Sequence, residues 1–156
     1  MEGFGLLVGH MLGDYVLQND WMAAWKTAPP GYATTEETLW LDVLRGLPDR
    51  GTGQVRRLRL WLAWRPAVAC SLHCLLYTLA VWLCSVWWMP WWGPAAVFAA
   101  HWPVDRWRLA RWWMTTTGWQ PDFANGPLAP WSVIVVDNTF HMAVLLALGV
   151  AVLPLY

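Results

Sequence analysis

The stretch FGLLVGHMLGDYVLQNDWMAA, residues 4–24, decides how this chain is read. It is long and apolar enough to cross a bilayer, which takes about 20 such residues. Yet it carries His10 and, one helical turn later, Asp14. Each is costly in hydrocarbon, and ionisable groups inside a span face the protein interior and mark function. The same four-residue spacing returns at His101-Trp-Pro-Val-Asp105 and, reversed, at Asp137-Asn-Thr-Phe-His141.

Three further segments have the length and hydropathy of spans, at 67–88, 93–114 and 131–153. Pro130 stands where the last of these would place its first helical residue, and Pro154 closes it. Of the 156 residues, 58% are hydrophobic, 16 are tryptophan and only 13% are charged. That charge is about half the roughly 25% of a soluble domain. The sequence therefore predicts an all-α, polytopic membrane protein: one transmembrane domain, 1–156, folded as a four-helix bundle with the lipid bilayer as its partner. Zero net charge gives no reason to expect nucleic acid, and a homo-oligomer stays open. Met1-Glu-Gly-Phe4 lacks the basic region of a secretory signal, so the first segment is expected to remain as a span. Three cysteines in one apolar segment, Cys70, Cys74 and Cys84, do not form a disulfide framework.

Basic residues orient the bundle. Lys26, Arg45, Arg50, Arg56, Arg57, Arg59 and Arg65 lie between the first and second spans, and Arg106, Arg108 and Arg111 end the third. The positive-inside bias puts loop 27–66 and the end of the third span in the cytoplasm, with both termini outside the inner membrane. Trp87, Trp88, Trp91 and Trp92 then mark the outer hairpin. Within the long loop, Thr34 and Glu37 form a capping-box pattern. It precedes a stripe of Leu39, Trp40, Val43 and Leu44 that predicts a short amphipathic helix lying in the interface. Residues 45–53 read as turn-rich.

Seven His and Asp residues fall inside the spans: His10, Asp14, His73, His101, Asp105, Asp137 and His141. Members four apart project from one helix face. Spans one and three run inward and span four outward, so the reversed order in span four restores one arrangement in space. His10, His101 and His141 form a deep layer, and Asp14, Asp105 and Asp137 lie nearer the cytoplasm. Carboxylates gathered in low dielectric repel one another unless a cation joins them. Imidazole with carboxylate suits zinc first, and also iron or manganese. Seven candidates exceed the needs of one tetrahedral ion, leaving partners that orient the ligands or a second metal. Pro103 frees the carbonyl of Ala99 between the ligands of the third span. Cys70, Cys74 and Tyr77 flank His73, and Gln18 follows Asp14 by one turn.

The stretch His10-Met-Leu-Gly-Asp-Tyr-Val-Leu-Gln18, continuing through Trp21 to Lys26, resembles the opening signature of a family of small membrane proteins from bacteria and their phages. That family is catalogued as a domain of unknown function. Ser71-Leu-His73-Cys-Leu-Leu-Tyr77, His101 with Asp105, and Asp137 with His141 match its later motifs in order. The chain departs from the pattern at Arg106 and Arg108, where a lysine is usual after the Asp, and at Asn138, where a glutamine is usual. The resemblance implies a membrane location and the His/Asp ligand set, and is silent on the reaction. A more distant similarity is to membrane-bound metal-dependent hydrolases.

From the residues, the function expected is metal-dependent hydrolysis of a lipid-like or membrane-associated substrate. One of Asp14, Asp105 and Asp137 would act as general base, and Lys26, Arg106 and Arg108 would hold an anionic head group. The alternative is a non-enzymatic metal or proton carrier, or a structural metal locking the helices. The sequence contains no phosphate loop, nucleophile elbow or dinucleotide fingerprint.

Overall fold

A computed structural model describes residues 2–45, 51–86 and 89–152. The turn-rich stretch 46–50, Trp87 and Trp88, Leu153 and Pro154 lie outside the described residues, as does the side chain of Leu44. Among the described residues the regular structure is wholly helical. In chain order it runs α1 Glu2–Met11, a π-helical turn Leu12–Val16, α2 Asp20–Trp25, α3 Thr35–Arg45 and α4 Gly51–Ser85. Then follow α5 Gly93–Arg106, α6 Leu109–Thr116, α7 Pro121–Asn125 and α8 Ala129–Val152.

Two of these are long and apolar enough to cross a membrane, α4 over Gly53–Ser85 and α8 over Ala129–Ala151. The other two segments expected to span are each broken, and for local reasons. In the first, Leu17 N–H donates to Leu12 O, a five-residue step that widens the helix around Asp14. The chain then restarts at Asn19, whose side chain caps α2 by accepting from Met22 N at 2.9 Å. In the third, Trp107 and Arg108 end α5 by donating to Pro103 O and Asp105 O. Arg108 adopts the left-handed conformation, φ 52° and ψ 47°, before α6 begins.

α4 departs from expectation in the other direction. It starts at Gly51 rather than near residue 67 and passes straight through Pro66. A proline inside a helix leaves the carbonyl four residues back without its donor. Here that carbonyl, Leu62 O, accepts from Gly31 N at 3.1 Å, so the loop restores what the proline removes. Gly31 reaches this position with φ +78°, which suits glycine. The short helix α7 was not anticipated at all. It packs between α6 and α8, where Phe123 O accepts from Ser132 Oγ and Asn125 Oδ1 accepts from Arg111 at 2.5 Å.

α4 is the central helix, with α1, α2, α3 and α5 against it, while α8 packs on α1, α5, α6 and α7. α1 approaches closely through Gly5, Gly9 and Gly13, spaced by four. A Cβ on Gly9 would stand 2.6 Å from Val81 Cα, and one on Gly13 would stand 2.6 Å from the Tyr77 ring. This is the small-residue stripe that lets two backbones touch. It brings His10 and Asp14 up against α4 above an apolar core of Leu6, Tyr77, Val81, Val97 and Leu145.

The segment between α2 and α4 is pinned by buried Arg65. Its guanidinium lies 3.3 Å over the Trp25 ring and donates to both Glu37 oxygens and to Tyr32 O. The capping box forms as expected: Thr34 N donates to Glu37 Oε2 at 2.8 Å, and Glu37 N to Thr34 Oγ1 at 3.3 Å.

Candidate metal centre

Each His–Asp pair four residues apart closes on itself. His10 Nδ1 lies 3.2 Å from Asp14 Oδ2, His101 Nε2 3.2 Å from Asp105 Oδ2, and His141 Nε2 3.4 Å from Asp137 Oδ2. The helix spacing produces these pairs, and packing then joins them. His73 Nε2, from α4, stands 3.2 Å from Asp14 Oδ1, 3.0 Å from Asp105 Oδ2 and 3.2 Å from His101 Nε2. His101 Nε2 is also 3.7 Å from Asp14 Oδ1. Asp105 turns its second oxygen, Oδ1, to His141 Nε2 at 3.4 Å.

These separations bear on metal binding. An ion with tetrahedral bonds of about 2.0–2.1 Å holds its ligand atoms about 3.3 Å apart. Asp14, His73 and His101 form one group with donor atoms within 4.8 Å of one another. Asp105, Asp137 and His141 form another, and Cys74, His101 and Asp105 a third. Buried His and Asp side chains here could therefore hold a metal ion, with the Cys74 sulfur in reach. Asp14 Oδ1 and His141 Nε2 are buried at ion-pair distance from their neighbours but without a hydrogen bond among the described residues. Leaving such atoms unsatisfied costs about 1–3 kcal/mol each, and a cation bound by each group removes that cost.

No known protein family, curated protein or solved structure matches this chain. The centre is therefore read from its own chemistry.

Six of the seven His and Asp candidates thus fall into the donor groups. His10 does not. Its Nε2 donates to Asn138 Oδ1 at 2.8 Å, and its Nδ1 faces Tyr77 Oη at 3.1 Å. The Asn138 orientation is fixed because its Nδ2 donates to Ile134 O at 2.8 Å and to Tyr15 Oη. With both ring nitrogens occupied by protein, His10 steadies Asp14 instead of joining the donors. Tyr77 also stacks on His101, ring centroids 3.7 Å apart. Gln18 leaves its buried Oε1 without a partner among the described residues.

The basic residues separate as well. Lys26 is not free at a mouth: its ammonium lies 2.9 Å from Asp105 Oδ2 and 3.2 Å from His73 Nε2. Burial works against that charge, but Asp105 outweighs it and holds the lysine above its ordinary pKa. Asp105 is its one ion-pair partner within 4.0 Å among the described residues, with Asp14 and Asp137 acting on it from further away. A cavity of about 140 Å³ opens beside it, lined by Lys26, Thr27, Asp105, Arg108, Arg111 and Asp137 with Val133 and Ile134. Arg106 turns away and donates to Ala28 O at 3.2 Å. Arg111, which nothing in its sequence context but its charge singled out, takes a place on that wall.

Proposed function

We propose that this chain is a polytopic membrane protein that binds a divalent metal, zinc by preference, and hydrolyses a lipid-like or membrane-associated ester, amide or phosphoester. The observation that carries the reading is the cluster of Asp14, His73, His101 and Asp105 donor atoms, 3.0–3.7 Å apart on three separate helical segments.

Several features support the membrane reading. Only 17% of the apolar window of α8 is buried, and Trp131, Val135, Leu146 and Val150 stand exposed along it. A contiguous apolar surface of this kind calls for an apolar solvent. The two broken segments become the remaining spans, their irregular backbone lying where it lines the polar centre, the one place a bilayer tolerates it. α3 exposes Leu39, Trp40 and Val43 to the interface. The inner membrane, both termini outside and membership of the bacterial and phage family belong to the same reading.

A divalent ion supplies Lewis acidity and brings the pKa of water to about 7. In the hydrolysis, the water oxygen bonds to the carbonyl carbon or phosphorus and the bond to the leaving group breaks. The proton from water reaches that leaving group by way of a carboxylate. Asp137 is placed for this, about one-third exposed on the cavity wall, whereas Asp105 is buried. Arg108 and Arg111 face the same cavity and suit an anionic substrate group. Metal-loaded protein in detergent should cleave members of a broad panel of lipid esters, amides and phosphoesters, and lose the activity on chelation or with His101→Ala. A panel with no turnover would sink the hydrolase.

The near-complete burial of His73 and Asp105 favours one other reading, a metal that locks the helices together. That reading expects bound metal without turnover. Uptake of metal into proteoliposomes, lost in Asp105→Asn, would instead identify a carrier.

A further inference from the structure

We propose that the centre holds two metal ions bridged by the Asp105 carboxylate, one enclosed and one open to the cavity. The inference rests on the metal reading above and deepens it, assigning each donor to an ion.

Asp105 points its oxygens at two different groups. Oδ2 meets His73 Nε2 at 3.0 Å and His101 Nε2 at 3.2 Å, and Asp14 Oδ1 completes that set 3.2 Å from His73 Nε2. Oδ1 meets His141 Nε2 at 3.4 Å, and Asp137 Oδ2 lies 3.4 Å from the same nitrogen. The seven donor atoms therefore divide into a four-donor set and a three-donor set that share one residue. Both have the edge lengths of about 3.3 Å that bonds of about 2.0–2.1 Å impose. The two sets are side by side because His101 and His141 stack, with ring centroids 4.0 Å apart.

The two sets differ in access. Asp14, His73, His101 and Asp105 give four protein donors, the complement of a closed structural site. Asp105, Asp137 and His141 give three, leaving a position for water or substrate, as catalytic sites do. Asp105 and Asp137 also line the 140 Å³ cavity together with Lys26, Arg108 and Arg111, so the open position faces a cavity with basic side chains in its wall. Asp137 binds through Oδ2 and keeps Oδ1 for the proton transfer. His141 Nε2, buried and without a hydrogen bond among the described residues, is one atom that a single-ion site at His73 leaves without a partner.

Stoichiometry tests this directly. Full-length protein in detergent is loaded with Mn2+ or Zn2+, desalted, and its metal counted per chain by mass spectrometry. Two ions are expected in the wild type and one in His141→Ala and Asp137→Asn. The Mn2+-loaded wild type should give an exchange-coupled paramagnetic resonance spectrum, and the two variants the six lines of an isolated ion. One ion in the wild type with an uncoupled spectrum overturns the bridged pair and leaves the metal reading standing. No bound ion overturns both.

Discussion

His101 lies stacked on His141, ring centroids 4.0 Å apart and planes 22° from parallel, and Tyr77 stacks on His101 at 3.7 Å. The two histidines come from α5 and α8, so the donors are assembled only while those helices stay packed. A metal that binds this arrangement and not the unfolded chain stabilises it by about 2.7 kcal/mol at a hundredfold excess over Kd. Thermal unfolding in detergent should shift upward with Zn2+ and back with a chelator. An unfolding temperature indifferent to both would argue against native-state metal binding.

His10 and His73 should separate in a metal titration. His73 Nε2 stands among the donor atoms, whereas His10 is held between Asn138 and Tyr77. His73→Ala should abolish high-affinity binding. His10→Ala and Asn138→Leu should weaken it by roughly 10–100-fold, the usual effect of losing a group that orients a ligand. Equal loss in all three would place His10 on the metal.

Gly9 should accept no side chain. A Cβ there meets the Val81 backbone at 2.6 Å and cannot be relieved by a rotamer change, whereas at Gly3 nothing lies within 4 Å. Gly9→Ala is expected to destabilise by about 1–3 kcal/mol, the range of overpacking. Gly3→Ala should leave unfolding unchanged. The comparison of the two denaturation midpoints checks the close approach of α1 and α4.

Glu37 gives the loop a dependence on pH. Burial pushes its carboxyl up, but Arg65 and Thr34 outweigh this and hold it below its ordinary value of 4.5. The ion pair's contribution is therefore complete above that value and is lost as pH falls through the lower, folded-state one. Partial exposure keeps it to about 1 kcal/mol. Hydrogen exchange at α3 amides should quicken on acidification in the wild type. In Glu37→Gln it should be faster at neutral pH and show no further acid step.

The cations of the cavity should divide in kinetics. Arg108 and Arg111 line it, while Arg106 donates to the Ala28 carbonyl. With an anionic substrate, Arg108→Ala and Arg111→Ala should raise KM several-fold with little change in kcat, and Arg106→Ala should leave both near wild type. Arg106 dominating the KM effect would mean that the substrate approaches from another side.

Local chemistry is what the sequence alone determined. Hydropathy marked the helical segments, and Thr34 with Glu37 marked the start of α3, because each depends on neighbours within a turn or two. The four-residue spacing likewise put His101 with Asp105 and His141 with Asp137 without reference to the rest of the chain. Local reading failed where a distant group intervened. Pro66 looked like a boundary, yet α4 passes through it because Gly31 supplies the missing donor. The stripe Gly5-x-x-x-Gly9-x-x-x-Gly13 was visible as a pattern and only its partner, α4, gave it meaning.

The tertiary structure decided which atoms meet. The rotation of each helix about its axis and the distance between axes follow from packing across the whole chain. Those two quantities set His10 aside with Asn138, brought Lys26 onto Asp105, and aimed the two oxygens of Asp105 at different histidines. A spacing of four residues fixes a face of a helix; only neighbouring helices fix what that face meets.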